Sequence, residues 1–211
     1  MIRMRDINAL HPFTKMLAQA LVANCMRQNI YIKITDCVRT KTEQDDCIRR
    51  GTSSVDWYHT HHAYGLAFDI CFNDKNNPYP NDIKKWKMVG ENGKRLGLTW
   101  GGDWKKPDKP HFQLDAYGLA ENLIKTYGGP NGFLKHKDFK ISTPKTPIVP
   151  TSSVKKIMWL QVRLNIAGYS TKIDGIWGES TKAQLKAYWK AATGKSCTGK
   201  ICSVRCISLL A

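Results

Sequence analysis

The chain has 211 residues, 42% of them hydrophobic and 24% charged, which are the proportions of a globular protein with room for one large domain or two modest ones. Its net charge of +16 is not ordinary and points to an anionic partner: nucleic acid, a membrane surface or an acidic wall polymer. No stretch approaches the roughly 18 apolar residues of a membrane span, and seven cysteines with no CxxC pair argue against a disulfide framework.

Near the start, Ile7, Leu10, Phe13, Leu17 and Leu21 are separated by polar residues. That spacing predicts an amphipathic helix over 9–28, not the unbroken apolar run of a secretory signal. The expectation is a chain made in the cytosol that reaches any external target by another route. "NIYIKITDCVR" (29–39) alternates and is β-branched, so it predicts a strand. Thr40 as N-cap, Glu43 three residues on and Gly51 at the end mark a short helix over 40–51. "GLAFDICF" (65–72) predicts a second strand. Residues 81–97 predict a helix as far as Val89, broken by Gly90 and the "ENG" that follows. "LTWGGDW" and "KPHFQLD" predict extended segments around a turn. Cys25, Cys37, Cys47 and Cys71 fit small buried thiols.

Composition then changes. Residues 136–153 carry three prolines and many Ser and Thr with no period, which predicts a linker. Beyond it, Val154, Ile157, Leu160 and Leu164 recur at helical spacing, Asp174-Gly175 marks a turn, and two more helices are predicted, the last over "CSVRCISLL". The predicted division is a domain over 1–135, a linker over 136–153 and a module over 154–211. The module holds ten Lys/Arg against Asp174 and Glu179, and is the denser cation. Cys202 and Cys206 stand four apart with no histidine near them, a poor metal pair.

Strand parity singles out one site. In "GLAFDICF", Leu66, Phe68, Ile70 and Phe72 share one face, and Ala67, Asp69 and Cys71 the other. In "HFQL", Phe112 and Leu114 face one way, His111 and Gln113 the other. If the two strands pair, Asp69 and His111 meet on one face, and His62 enters from the loop before the first strand. Two imidazoles and one carboxylate make a three-ligand zinc set with a fourth position open. Asp108, three residues before His111 and stiffened by Pro110, supplies an acid–base group. Spacing alone leaves open ordinary surface histidines and a satisfied buried acid.

Further blocks narrow this. "THHAYGLAFD" (60–69) resembles the S-x-H-x-x-G-x-A-x-D motif of the VanY-type D-Ala-D-Ala carboxypeptidases. The domain resembles more closely the L-alanyl-D-glutamate peptidases of phage endolysins, through "RTKTEQ" (39–44), "LGLTWGGDW" (96–104), "DKPHFQL" (108–114) and "INALHPF" (7–13). The resemblance implies an α+β fold, a small antiparallel sheet with flanking helices holding one catalytic zinc on His62, Asp69 and His111. It implies Asp108 as the general base that later protonates the leaving amine. It implies Arg39 as the group that binds substrate and stabilises the oxyanion, with Gln44 and Trp104 as candidate substrate contacts. Trp100 is a candidate for the cleft or the core. His59 and His61 fit solvated loop histidines, and His11 and His136 structural or exposed ones. Thr60 replaces the family's serine and can make the same hydrogen bond. "KKP" between Trp104 and Asp108 departs from relatives at the cleft edge.

"LQVRLNIAGY" and "DGIWGESTKAQLKAY" resemble a peptidoglycan-binding module, implying a C-terminal three-helix wall-binding module with Leu160, Leu164 and Leu185 in its core. The resemblances together imply an endolysin-like zinc peptidase that cuts peptidoglycan stem peptides, foremost at L-Ala–D-Glu. The alternatives are a D,D-carboxypeptidase and a non-catalytic wall-binding protein. The expected partners are peptidoglycan and anionic wall polymers, with no nucleic acid and no stable membrane association, and the expected state is a monomer. The expected place of action is the bacterial wall, after synthesis in a host cytoplasm.

Overall fold

The computed structural model describes residues 5–136 and 141–211. The residues fall into two compact units, Met1–Lys94 with Leu98–Lys140, and Arg95–Gly97 with Ile141–Ala211. No helix among the described residues is long and apolar enough to cross a membrane.

The first unit is α+β. Helix α1 (Pro12–Arg27) opens with proline at its first position, and the buried His11 ring accepts the Phe13 N–H at 3.3 Å as the cap. Its apolar stripe, Phe13, Leu17, Leu21 and Cys25, is fully buried. Strands β1 (Ile32–Asp36), β2 (Ala67–Phe72), β3 (Thr99–Trp100) and β4 (His111–Gln113) form one antiparallel sheet in the order β1-β2-β4-β3. The expected pairing of the two motif-bearing strands is present, with Phe68 opposite Phe112 and Asp69 opposite His111. Phe68 and Phe112 stack at 5.7 Å between centroids on the core face. The other face carries Ala67, Asp69, His111 and Gln113.

Helix α2 (Lys41–Arg49) has the expected start: Thr40 accepts from the Glu43 N–H, and the Glu43 carboxylate accepts from the Thr40 N–H at 2.8 Å. Helix α3 (Ile83–Arg95) corrects the reading that placed its end at Val89. It runs on through Gly90 and Gly93 because these glycines are contact points. A methyl group on Gly90 would lie 2.3 Å from the Trp100 ring, and one on Gly93 2.4 Å from the Phe112 ring. The helix gives up propensity to let its backbone rest on two aromatic rings of the sheet. Two short helices, α4 (Ala120–Tyr127) and α5 (Pro130–Lys135), complete the unit.

In the second unit, helices α6 (Val154–Ile166), α7 (Glu179–Thr193) and α8 (Val204–Leu210) bury Leu160, Leu164 and Leu185 as expected. Val154, though in phase with them, is exposed. The buried Gln161 ties helix to turn. Its carbonyl oxygen accepts from the Asp174 and Gly175 N–H groups at 3.1 and 2.9 Å, and its amide donates to Asp174 Oδ1 at 2.9 Å. The stretch expected as a linker joins this fold in part: Ile148 is fully buried and exchanges two 2.9 Å backbone hydrogen bonds with Cys202. Residues 137–140 of that stretch lie outside the described residues. Cys202 itself precedes α8 instead of sharing a helix with Cys206. All seven cysteines are free thiols, and Cys25, Cys37, Cys47 and Cys71 are buried as expected.

Candidate metal centre

His62 sits in a single 3-10 turn, His61–Tyr64. Thr60 caps it, accepting the His62 N–H at 3.4 Å, so threonine does the work expected of serine. Gly65 closes the turn at φ 66°, a conformation that favours glycine. The His62 Nδ1 is 2.6 Å from the Cys37 carbonyl. A carbonyl only accepts, so Nδ1 carries the proton and Nε2 keeps its lone pair.

That Nε2 lies 3.3 Å from Asp69 Oδ1 and 3.3 Å from His111 Nδ1, and His111 Nδ1 is 3.1 Å from the same Asp69 oxygen. His62 and His111 are buried and Asp69 nearly so. Zinc bound at about 2.0–2.1 Å in a tetrahedron has ligand atoms about 3.3 Å apart. The three observed separations fit that triangle. Two neutral nitrogens and one carboxylate are also a donor set that zinc accepts in catalytic sites.

Burial alone would raise the Asp69 carboxyl. The His62 and His111 imidazoles beside it win, and hold it well below the usual carboxylate range. Burial likewise pulls His111 down, but its hydrogen bond to Asp69 and that carboxylate's charge leave it raised overall.

Arg39 lies against the back of this triangle. Its Nη2 donates to Asp69 Oδ2 at 2.9 Å, its Nε to Asp36 at 2.6 Å and its Nη1 to Gln44 at 3.2 Å. One Asp69 oxygen is thereby held by the guanidinium, and the other faces the imidazoles. Gln44 is fully buried, and its amide donates to Ser53 Oγ and the Val55 carbonyl. Its oxygen and both amide hydrogens are thus engaged by groups of the protein.

Asp108 stands at the rim, with the Gly101 carbonyl accepting its N–H at 2.9 Å. The residue is exposed by area, yet partial burial of the carboxyl, and then the Asp69 charge, raise it above the ordinary value. Trp100 is 2% exposed and belongs to the core; its indole N–H donates to the Lys109 carbonyl at 2.8 Å and so pins the "DKPH" segment. Trp104 is 39% exposed and lies 5.1 Å from the His111 ring, a wall beside the triangle.

The other histidines divide. His59 is a loop residue paired with Asp56 at 2.8 Å. His61 is not solvated as expected: its side chain is 10% exposed, with Nε2 3.5 Å from Asp115 Oδ1. Sequence reasoning missed Asp36, the Cys37 carbonyl and Asp115. No residue pattern marks a carbonyl as a partner, and the two acids stand in stretches read only as strands, outside the blocks that carry the resemblance.

Residues 56–114 match the family described as D-alanyl-D-alanine carboxypeptidase, and residues 153–192 match a family of peptidoglycan binding domains. The peptidoglycan L-alanyl-D-glutamate endopeptidase CwlK of Bacillus subtilis is 33% identical over 122 residues, which span 50% of this chain and 73% of that protein. The L-alanyl-D-glutamate peptidase of Listeria phage A118 is 29% identical over 56% of this chain and 43% of its own length. The crystal structure of the Serratia marcescens L-Ala D-Glu endopeptidase ChiX overlaps 52% of this chain and 83% of its own, with a TM-score of 0.43 and 20% identity.

Proposed function

The chain belongs to the L-alanyl-D-glutamate peptidase family, and from that premise we propose that it is an endolysin-like zinc peptidase that cleaves peptidoglycan stem peptides between L-alanine and D-glutamate. The observation that carries the reading is the triangle of His62, Asp69 and His111, with sides of 3.1 to 3.3 Å. These three residues would hold one zinc ion, which when bound polarises the scissile carbonyl and acidifies water.

The chain's own groups supply the rest. Asp108 takes a proton from the attacking water and returns it to the leaving amine; its raised carboxyl suits it to hold that proton between the two steps. Arg39 has five donor hydrogens and spends three on Asp36, Gln44 and Asp69. Its Nη2 also contacts Asp36, and in this reading what remains of the fork meets the substrate and the oxyanion that develops on the carbonyl. Trp104 forms a wall for the peptide.

Residues 1–135 form the catalytic domain in this reading, 136–153 a linker and 154–211 the wall-binding domain. The lysine-rich module adds attraction to anionic wall polymers. The protein works as a monomer, made in a host cytoplasm and acting on the wall after release.

The test is mass spectrometry of purified peptidoglycan digested with and without chelator. New N-terminal D-glutamate ends that vanish with chelator support the endopeptidase. Loss of terminal D-alanine alone supports the carboxypeptidase, the reading favoured by the description of the family matching 56–114. Absence of any metal-dependent product overturns both and leaves wall binding.

A further inference from the structure

His111 can offer the metal only one of its two ring nitrogens, and which one depends on where its proton sits. In this structure Nδ1 faces Asp69 and His62, while Nε2 is 3.0 Å from Gln113 Oε1. Gln113 is an amide, however, and an amide can turn either end toward its neighbour. With its NH2 group toward His111, it would favour the wrong tautomer, with the proton on Nδ1.

The choice is made one residue further out. Gln113 Nε2 is 2.6 Å from Asp115 Oδ1. An ionised carboxylate only accepts, so the amide must present its NH2 group to Asp115 and its oxygen to His111. The Asp115 carboxylate is itself placed by Thr99, whose hydroxyl donates to Oδ2. Thr99 stands opposite Gln113 in the sheet, so the backbone register brings donor and amide together. The His61 Nε2 lies 3.5 Å from the same Oδ1, closing that side.

We propose that Asp115, acting through Gln113, holds a proton on His111 Nε2 and so leaves Nδ1 as the nitrogen that meets the metal. Both are positioning residues. The proposal rests on the zinc reading of the triangle, but its cause lies in the protein and can be read without metal. Partners of this kind that orient a ligating histidine typically matter by about 10- to 100-fold in metal affinity.

Two measurements on the full chain test it. In the metal-free protein, nitrogen-15 correlation spectra of the imidazoles should show a proton on His111 Nε2 that exchanges slowly because it donates to Gln113, and Asp115→Ala should speed that exchange. Zinc affinity, from competition with a chromophoric chelator, should fall about 10-fold or more in Asp115→Ala. In a Gln113→Glu background the same Asp115→Ala change should cost nothing, because a carboxylate presents an oxygen whichever way it turns. Asp115→Ala with unchanged exchange of the Nε2 proton and unchanged affinity would overturn the proposal, and so would an equal loss in both backgrounds. A wild-type chain that takes up no zinc would overturn the metal reading instead, and the metal-free spectra would still decide the relay.

Discussion

Asp69 and His111 stand directly opposite each other in neighbouring antiparallel strands, with carboxylate oxygen and imidazole nitrogen 3.1 Å apart. Two residues 42 apart in sequence are thus set by register alone, and a one-residue slip of either strand would turn its own side chain to the core face. His62 then needs only a short turn to reach them. His62→Ala or His111→Ala should abolish stoichiometric zinc, measured by elemental analysis after dialysis. Each should cut turnover of peptidoglycan at least about 1000-fold, on the scale of losing a principal charge-stabilising group.

Asp108→Asn separates chemistry from metal binding. It should keep zinc and lose turnover by about 100- to 10,000-fold, the usual contribution of an acid–base group. The folded protein raises the Asp108 carboxyl above its unfolded value, so it holds the proton more tightly than the unfolded chain does. The stabilisation belonging to the protonated form is complete below the unfolded value and is lost as pH rises through the folded one. At neutral pH the ionised group therefore weighs against the metal-free fold. Asp108→Asn should melt higher than wild type at neutral pH without metal, and that gain should vanish below the ordinary carboxylate range. Melting curves at several pH values check the sign.

Arg39→Ala leaves the nearly buried Asp36 without its partner and strips the guanidinium from one oxygen of Asp69. The expected loss is about 3–5 kcal/mol of stability. Arg39→Lys restores the charge but not the three-way fork, and should recover stability better than turnover. Denaturant titration and rate measurements on the same samples distinguish the two effects.

Gly93→Ala puts a methyl group 2.4 Å from the Phe112 ring, between His111 and Gln113 in β4. Overpacking of this kind costs about 1–3 kcal/mol. Thermal melting should show that loss, accompanied by weaker zinc binding, because the ring that moves shares a strand with a ligand.

Gln161→Ala should unfasten the turn of the second unit. It strips partners from two backbone N–H groups and from the Asp174 carboxylate, at about 1–3 kcal/mol for each buried group left unsatisfied. Pull-down on purified walls should fall with it. Wild-type pull-down should weaken as salt rises, reflecting the excess of lysine over acid in residues 154–211.

Sequence patterning reached the sheet and the triangle because both follow local rules. Alternation in β2 and in "HFQL" assigned faces before any pairing was known, and the Thr40–Glu43 box announced α2 outright. It stopped short at Gly90 and Gly93, where helix propensity argues for a break and the decisive contacts, Trp100 and Phe112, lie on strands further along the chain. It also left His61 in solvent, because the acid beside it, Asp115, is 54 positions away. Arg39 stood out through "RTKTEQ", but its hold on Asp69 depends on a side-chain fork that no spacing encodes.

The buried thiols have a consequence for where such a chain can work. Burial raises Cys25 and Cys37 to about 12, so neither forms the thiolate that oxidants and disulfides attack. Neither of these two thiols is therefore primed to form a cross-link when the ambient redox potential changes. The triangle of His62, Asp69 and His111 is likewise built from imidazole and carboxylate, groups that are indifferent to ambient redox potential. These groups do not tie the fold to an oxidising or a reducing compartment.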